Sequence, residues 1–423
     1  MEQSTLVLII VGIVIILYAT EKLPLSVTTI LAMTAFVIFN VLTPEESFAG
    51  FSSTATLLLI AMSIIGEAFL TSGLVSRTGK ILSMMTKIPL SMFLSVIFLT
   101  GAILSAFLNG LAVVAIFMPI LAALEQQTNE KIPLKYTLMP LAIGAVLGGN
   151  LTIVGSTSMI NASNILGTSY YGKSLPFFAP TMAALPSVIV TFFFYMFFGQ
   201  KFQKKCFDFN KSSLELTKNQ DDIKQASVWK SVFMIVVLLF CIIGFAKGFN
   251  LILISFTGAL LVLISGCITT KQAYSAISWE TIFVISGASG FAKGIEKSGA
   301  GEIIANAVVH FLGPVISTAF GLCIVTLVLS TILSNFMSNN ISVTIIAPMV
   351  LAVSEQLGYD PLPLILACGI GVNLSLATPV CTACITMTTS AGYRFKDYLK
   401  VGGVVNLLSV IATAIALYIL YYK

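Results

Sequence analysis

Charge is scarce in this 423-residue chain: 9% of residues are Asp, Glu, Lys or Arg, whereas soluble domains carry about 25%, and 57% are hydrophobic. That balance excludes an ordinary soluble domain. Histidine occurs once, at position 310, no H-E-x-x-H is present, and no Asp lies in any apolar segment. A nucleophile with its base, or a metal with His ligands, therefore has few residues to be built from, which argues against an intramembrane protease or lipid transferase. The seven cysteines (206, 241, 267, 323, 368, 381 and 384) fall mostly in apolar segments and imply no disulfide framework. Cys381-x-x-Cys384 lacks the second pair that a zinc site would need and reads as small apolar filling. The opening MEQSTLVLII lacks the positive n-region and cleavage site of a signal peptide, so the first apolar stretch is expected to stay as a helix. No resident cofactor is expected.

Long apolar runs are what the chain does have. They cover 4–19, 24–42, 54–72, 178–199, 231–246, 250–268, 281–292 and 401–421, with longer blocks at 88–124, 136–167, 312–353 and 362–391. A helix needs about 20 residues to span a bilayer, and the alternating ten-residue segments of a membrane barrel are missing. The sequence predicts an all-α polytopic membrane protein with about ten transmembrane helices. Its net charge of +5 reads as topology rather than as affinity for nucleic acid. If 54–72 runs inward, 17 of the 22 Lys and Arg lie on the inner side. The positive-inside rule then puts both termini outside the cell membrane.

The polar stretch 201–230 divides the chain near its midpoint and reads as a cytoplasmic linker between halves 1–200 and 231–423. Without gaps, LSAFLNGLAVVAIFMP (104–119) lies over LSNFMSNNISVTIIAP (333–348), with Leu, Ser, Phe, Val, Ile and Pro shared. By the charge count the two blocks enter the membrane from opposite sides, so the halves are expected to be inverted repeats, which mark secondary transporters. The blocks 88–124 and 312–353 read as too short for two full spans and too long for one, which suits re-entrant hairpins with the Ser/Asn clusters at their tips. Each hairpin precedes a second interruption, in 136–167 and in 362–391. In the first, Gly148, Gly149 and Gly155 free the backbone while Asn150, Thr152, Ser156, Thr157 and Ser158 supply oxygens. In the second, Pro379 breaks a continuous helix. Helix N-termini at such breaks suit an anion, and freed carbonyls with Ser and Asn oxygens suit a cation. For Gly148 and Gly149, close helix packing is an equal reading.

These motifs, with AGYRFKDYLKVG at 391–402, resemble the divalent anion/sodium symporter family of the ion transporter superfamily, over nearly the whole chain. The resemblance implies a homodimeric elevator in which a scaffold domain makes the dimer contact and both hairpins and both broken helices move. By position it implies one sodium site at Ser105, Asn109, Gly110 and Gly155 and another at Ser334, Met337, Asn339 and Ala377, partly through main-chain carbonyls. It implies anion contacts at Asn109, Gly110, Leu111, Ser156, Thr157, Ser338, Asn339, Asn340, Thr378 and Pro379. The chain departs from the family pattern at Gly110-Leu111, where the family has Asn-Thr, and at Asn340, where it has Thr. It departs again after the broken-helix Thr, where Thr157-Ser158-Met159 and Val380-Cys381-Thr382 replace the usual residues. Sulfate, or a carboxylate held mainly by the second half, therefore stands beside a symmetrically held dicarboxylate. Sodium coupling comes first and proton coupling second.

Glu67 is essentially the only ionisable residue deep in an apolar segment, and Lys293 is its rough counterpart. It reads equally as functional or as a helix-end residue paired with the cytoplasmic helix 75–87. His310 reads as interfacial. A sodium/proton antiporter would need midplane carboxylates, and only Glu67 could serve.

Overall fold

The computed structural model describes residues 2–20, 22–73, 88–128, 131–168, 174–207, 228–379 and 382–423. Among them the ordered backbone is helical, as the composition requires of a chain that must satisfy its peptide groups without water. The expected cytoplasmic helix 75–87, the linker core 208–227 and Cys381 lie outside the described residues.

Helices α1 (Gln3–Thr20), α2 (Leu25–Ile38), α3 (Pro44–Phe48) and α4 (Thr54–Thr71) open the chain. The first hairpin follows as α5 (Leu90–Ser105) and α6 (Gly110–Gln127), then α7 (Leu134–Gly149) and α8 (Thr157–Thr168) flank the first interruption. Helix α9 (Ala179–Phe194) continues through a π turn into α10 (Gln200–Cys206), so the start of the polar stretch 201–230 is helical. The second half repeats the plan. Helices α11 (Val228–Ala246), α12 (Leu251–Ile264), α13 (Thr270–Ala276), α14 (Trp279–Lys297) and α15 (Ala300–Ile316) lead to the second hairpin, α16 (Ala319–Ser334) and α17 (Asn339–Leu357). Helices α18 (Pro361–Asn373) and α19 (Ala383–Thr388) flank the second interruption, and α20 (Gly403–Tyr421) ends the fold.

Some boundaries have a clear local cause. Asp360 caps α18 by accepting from Leu362 N at 3.0 Å, with Pro361 in the first turn where its missing N–H costs nothing. Gly358, at φ +67°, ends α17 in the left-handed conformation that a side chain would disfavour. Pro119 in α6 and Pro348 in α17 occupy matched positions of the repeated motif, each inside its helix.

The hairpin arms differ in length from the expectation. At 16 residues, α5 and α16 are about 24 Å long, short of a hydrocarbon core of about 30 Å. Helices α6 and α17, by contrast, are among six in the described residues that are long and apolar enough to cross. The second hairpin also starts later than expected, because 312–316 belongs to α15.

Packing interleaves the halves. Helix α5 lies along α7 and α16 along α18, while α8 of the first half packs on α17 and α18, and α19 of the second half packs on α6 and α7. The close approach of α5 and α7 depends on missing side chains: a Cβ on Gly144 would sit 2.1 Å from Phe98 O, and one on Gly148 2.1 Å from Ala102 O. Gly148 is thus a packing residue. Helices α1, α2 and α14 form a separate apolar cluster in which Phe36 stacks on Phe291 at 6.2 Å. On the outside, α12 presents Leu253 and Ile264 at 66% and 82% exposure, surface that lipid rather than water must cover. The chain is a multi-pass membrane protein.

Candidate functional site

The two interruptions meet. Helix α7 stops at Gly149 and α18 at Asn373, and the polar groups at the two ends turn toward each other in the interior. Asn373 Nδ2 donates to Asn150 Oδ1 at 2.6 Å and to Ser156 Oγ at 2.7 Å. Asn373 Oδ1 accepts from Ser158 Oγ at 2.8 Å and from Asn339 Nδ2 at 2.9 Å. One amide therefore ties the first broken helix, the second broken helix and the start of α17.

The second hairpin tip is held by side chains. Ser334 Oγ donates to Asn339 Oδ1 at 2.6 Å and to Val372 O, and Ser375 Oγ also donates to Asn339 Oδ1, at 3.2 Å. Asn335 reaches the break itself: its Oδ1 accepts from Ala377 N at 3.2 Å and its carbonyl from Thr378 Oγ1 at 2.7 Å. Pro379 follows in the same non-helical stretch, half-buried. Asn161 Nδ2, from α8, donates to Thr344 Oγ1 at 3.1 Å and to Asn340 O at 3.4 Å, while Asn340 Oδ1 and Asn161 Oδ1 are buried without partners. Ser338 sits at the N-cap of α17 but makes no capping bond, so it is available at the helix N-terminus. Met337 turns away and packs on the α1–α2–α14 cluster, which leaves only its main chain for a ligand.

The first tip is built differently. Ser105, Gly110 and Gly155 lie together: a Cβ on Gly155 would be 2.6 Å from Ser105 O and 2.7 Å from Gly149 O, and one on Gly110 2.9 Å from Ser105 Oγ. Ser105 is fully buried and its hydroxyl has no partner. Asn109 caps α6 by accepting from Leu111 N at 2.9 Å, and both side chains are exposed. Ser156 and Thr157 lie half-buried at the start of α8. Here main-chain oxygens and one idle hydroxyl converge, a hard donor set that suits a cation such as sodium. The tip lacks the amide that fills the second.

Asn373 and Asn161 are site residues that motif reading missed. A signal existed for Asn373: LGGNL at 147–151 and IGVNL at 370–374 place Asn150 and Asn373 at the same point of the repeat. The remaining singled-out residues lie elsewhere. Glu67 is half-buried near the end of α4, Lys293 pairs with Glu296 at 3.1 Å, and His310 is on the exposed face of α15. A cavity of about 460 Å³ lined by Glu296, Glu302, Asn306 and Glu355 lies at the far end of α17 from Asn339.

Comparison with known proteins gives a consistent result. A family described as citrate transporter matches residues 15–371 and, in a second segment, 322–423. An uncharacterised transporter of Haemophilus influenzae is 23% identical over 98% of this chain and 92% of its own. The sodium-dependent dicarboxylate transporter SdcS of Staphylococcus saprophyticus is 23% identical over 95% of this chain and 83% of its own. Among solved structures, the YdaH transporter of Alcanivorax borkumensis superposes with a TM-score of 0.63 at 14% identity, over 88% of this chain and 86% of that one. The last likeness concerns fold alone.

Proposed function

The chain belongs to the citrate transporter family, and from that premise we propose that it is a secondary active carrier of a small anion, driven by sodium. The observation that carries the reading is the Asn373 junction, which brings Asn339, Asn150, Ser156 and Ser158 to one point between two broken helices. Interruptions recurring at matched positions of two halves are where such carriers bind. The substrate is a dicarboxylate, sulfate or a related anion, and the sodium dependence of the Staphylococcus relative supports the choice of coupling ion. The anion sits at the start of α17, against Ser338, Asn339 and Asn340, with Ser156, Thr157, Thr378 and Pro379 around it. Gly110 and Leu111 contribute main chain only, and the Asn109 amide oxygen is already engaged by Leu111 N. The second half therefore supplies most of the grip.

Sodium binds at Ser105, Asn109, Gly110 and Gly155, and at Ser334, Met337, Asn339 and Ala377. Cations order the two tips, the anion then binds beside them, and only the empty or fully loaded unit crosses readily; this coupling is linkage between sites. The moving unit comprises both hairpins and both broken helices, in inverted orientation, riding on a scaffold that pairs with a second copy in the cell membrane, both termini outside. The test is uptake of sulfate, succinate and citrate into proteoliposomes, each with and without a sodium gradient. Sodium-dependent uptake of at least one anion is expected; sodium-driven pH change with no anion uptake would instead make it an antiporter.

A further inference from the structure

We propose that Cys384 determines cation specificity at the first hairpin tip, and that this site takes thiophilic metal ions in competition with the coupling cation. The inference rests on the sodium-coupled reading above. It starts from a missing side chain. In the ungapped repeat Gly110 stands where Asn339 stands in the second half, and there Asn339 Oδ1 accepts the Ser334 hydroxyl at 2.6 Å. With glycine at 110, the equivalent Ser105 hydroxyl is fully buried and without a partner. The space beside Gly110 is bounded by both halves. A Cβ on Gly110 would lie 2.9 Å from Ser105 Oγ, 3.0 Å from Cys384 Sγ and 3.4 Å from Ala145 O. A thiol from the second half thus faces the idle hydroxyl, brought there because α19 packs on α6 and α7.

Hydroxyl and carbonyl oxygens are hard donors that suit sodium, whereas sulfur is soft and suits silver or mercuric ions. A sodium ion at this tip therefore has one oxygen fewer than a serine at 384 would give it. A silver ion gains a ligand there that the second tip does not have.

The experiment uses the full-length protein in proteoliposomes. A methanethiosulfonate reagent is applied in sodium or in choline medium, and its attachment at Cys384 is read by fragment-ion mass spectrometry, which separates it from Cys381. In parallel, uptake is measured against sodium and silver concentration for the native chain and for Cys384→Ser. Sodium is expected to slow labelling of Cys384 about fivefold, and the serine variant to reach half-maximal uptake at about fivefold lower sodium and to lose silver inhibition. Sodium-dependent uptake with equal labelling rates in the two media, no labelling in either, or unchanged silver sensitivity in the variant each overturns the proposal. Uptake with no sodium dependence in the native chain sinks the coupling reading first and the proposal with it. The labelling arm decides the matter even where the serine variant does not fold.

Discussion

Asn373 Nδ2 lies 2.6 Å from Asn150 Oδ1, a hydrogen bond between residues 223 apart that joins the end of α18 to the end of α7. Asn150 caps the end of α7 and Asn373 is the last residue of α18, two helices that stop inside the protein, where the final carbonyls have lost their intrahelical partners. A side-chain amide offers two donors and one acceptor, enough to connect several such ends at once. That versatility is why Asn, rather than Ser, occupies the junction.

Replacing Asn373 with Ala removes four side-chain contacts, to Asn150, Ser156, Ser158 and Asn339, and strands polar atoms in the interior. Each stranded group costs about 1–3 kcal/mol, so the variant should lose about 3 kcal/mol of stability and all uptake. Asn373→Asp keeps the acceptor for Ser158 and Asn339 but loses the donors, and should fold better while remaining inactive. Thermal unfolding in detergent, read beside uptake, checks both; an active Asn373→Ala would remove the junction from the mechanism.

Asn339 lies half-buried at the start of α17, closer to the surface than Asn373. Asn339→Ala should abolish uptake yet leave a folded protein, destabilised by about 1 kcal/mol. Gel filtration and a melting curve report the fold. Uptake at the native rate would count against the proposed anion site.

Ser105→Ala should separate folding from ion binding. The hydroxyl has no partner in the protein, so its removal loses no hydrogen bond and stability without sodium should change by no more than about 0.5 kcal/mol. A ligand that binds only the folded state raises its melting temperature. In the native chain sodium should do so; in the variant that shift should shrink or vanish. An undiminished sodium shift would take Ser105 out of the cation site.

Gly148→Ala tests packing rather than binding. Its Cβ would stand 2.1 Å from Ala102 O, a backbone atom that cannot step aside without parting α5 from α7. Misfolding or a loss of more than about 3 kcal/mol is expected, in line with overpacking at a rigid contact. Gly12→Ala, with nothing within 4 Å, should instead be neutral or slightly stabilising through helix propensity. Equal melting temperatures for the two variants would contradict the close approach.

Much of the architecture was legible because its signals are local. A run of apolar residues must form a helix in lipid, and Gly148, Gly149 and Pro379 mark where helices stop. The matched hairpin motifs located both tips to within a residue or two, at 106–109 and 335–338. Arm length was less legible, since α6 and α17 run several residues past the motif before a cap or a Gly358 ends them.

Composition and hydropathy determined that the chain is a helical membrane protein, and the matched motifs at 104–119 and 333–348 related its two halves, because hydropathy and motifs act over a few residues. Which groups meet was decided by tertiary structure alone. The meeting of Asn373 with Asn150 and of Cys384 with Gly110 depends on how α8 and α19 cross into the opposite half. Contacts between residues more than 200 positions apart leave no periodic trace, so the partner of a buried amide or thiol cannot be read from the residues beside it.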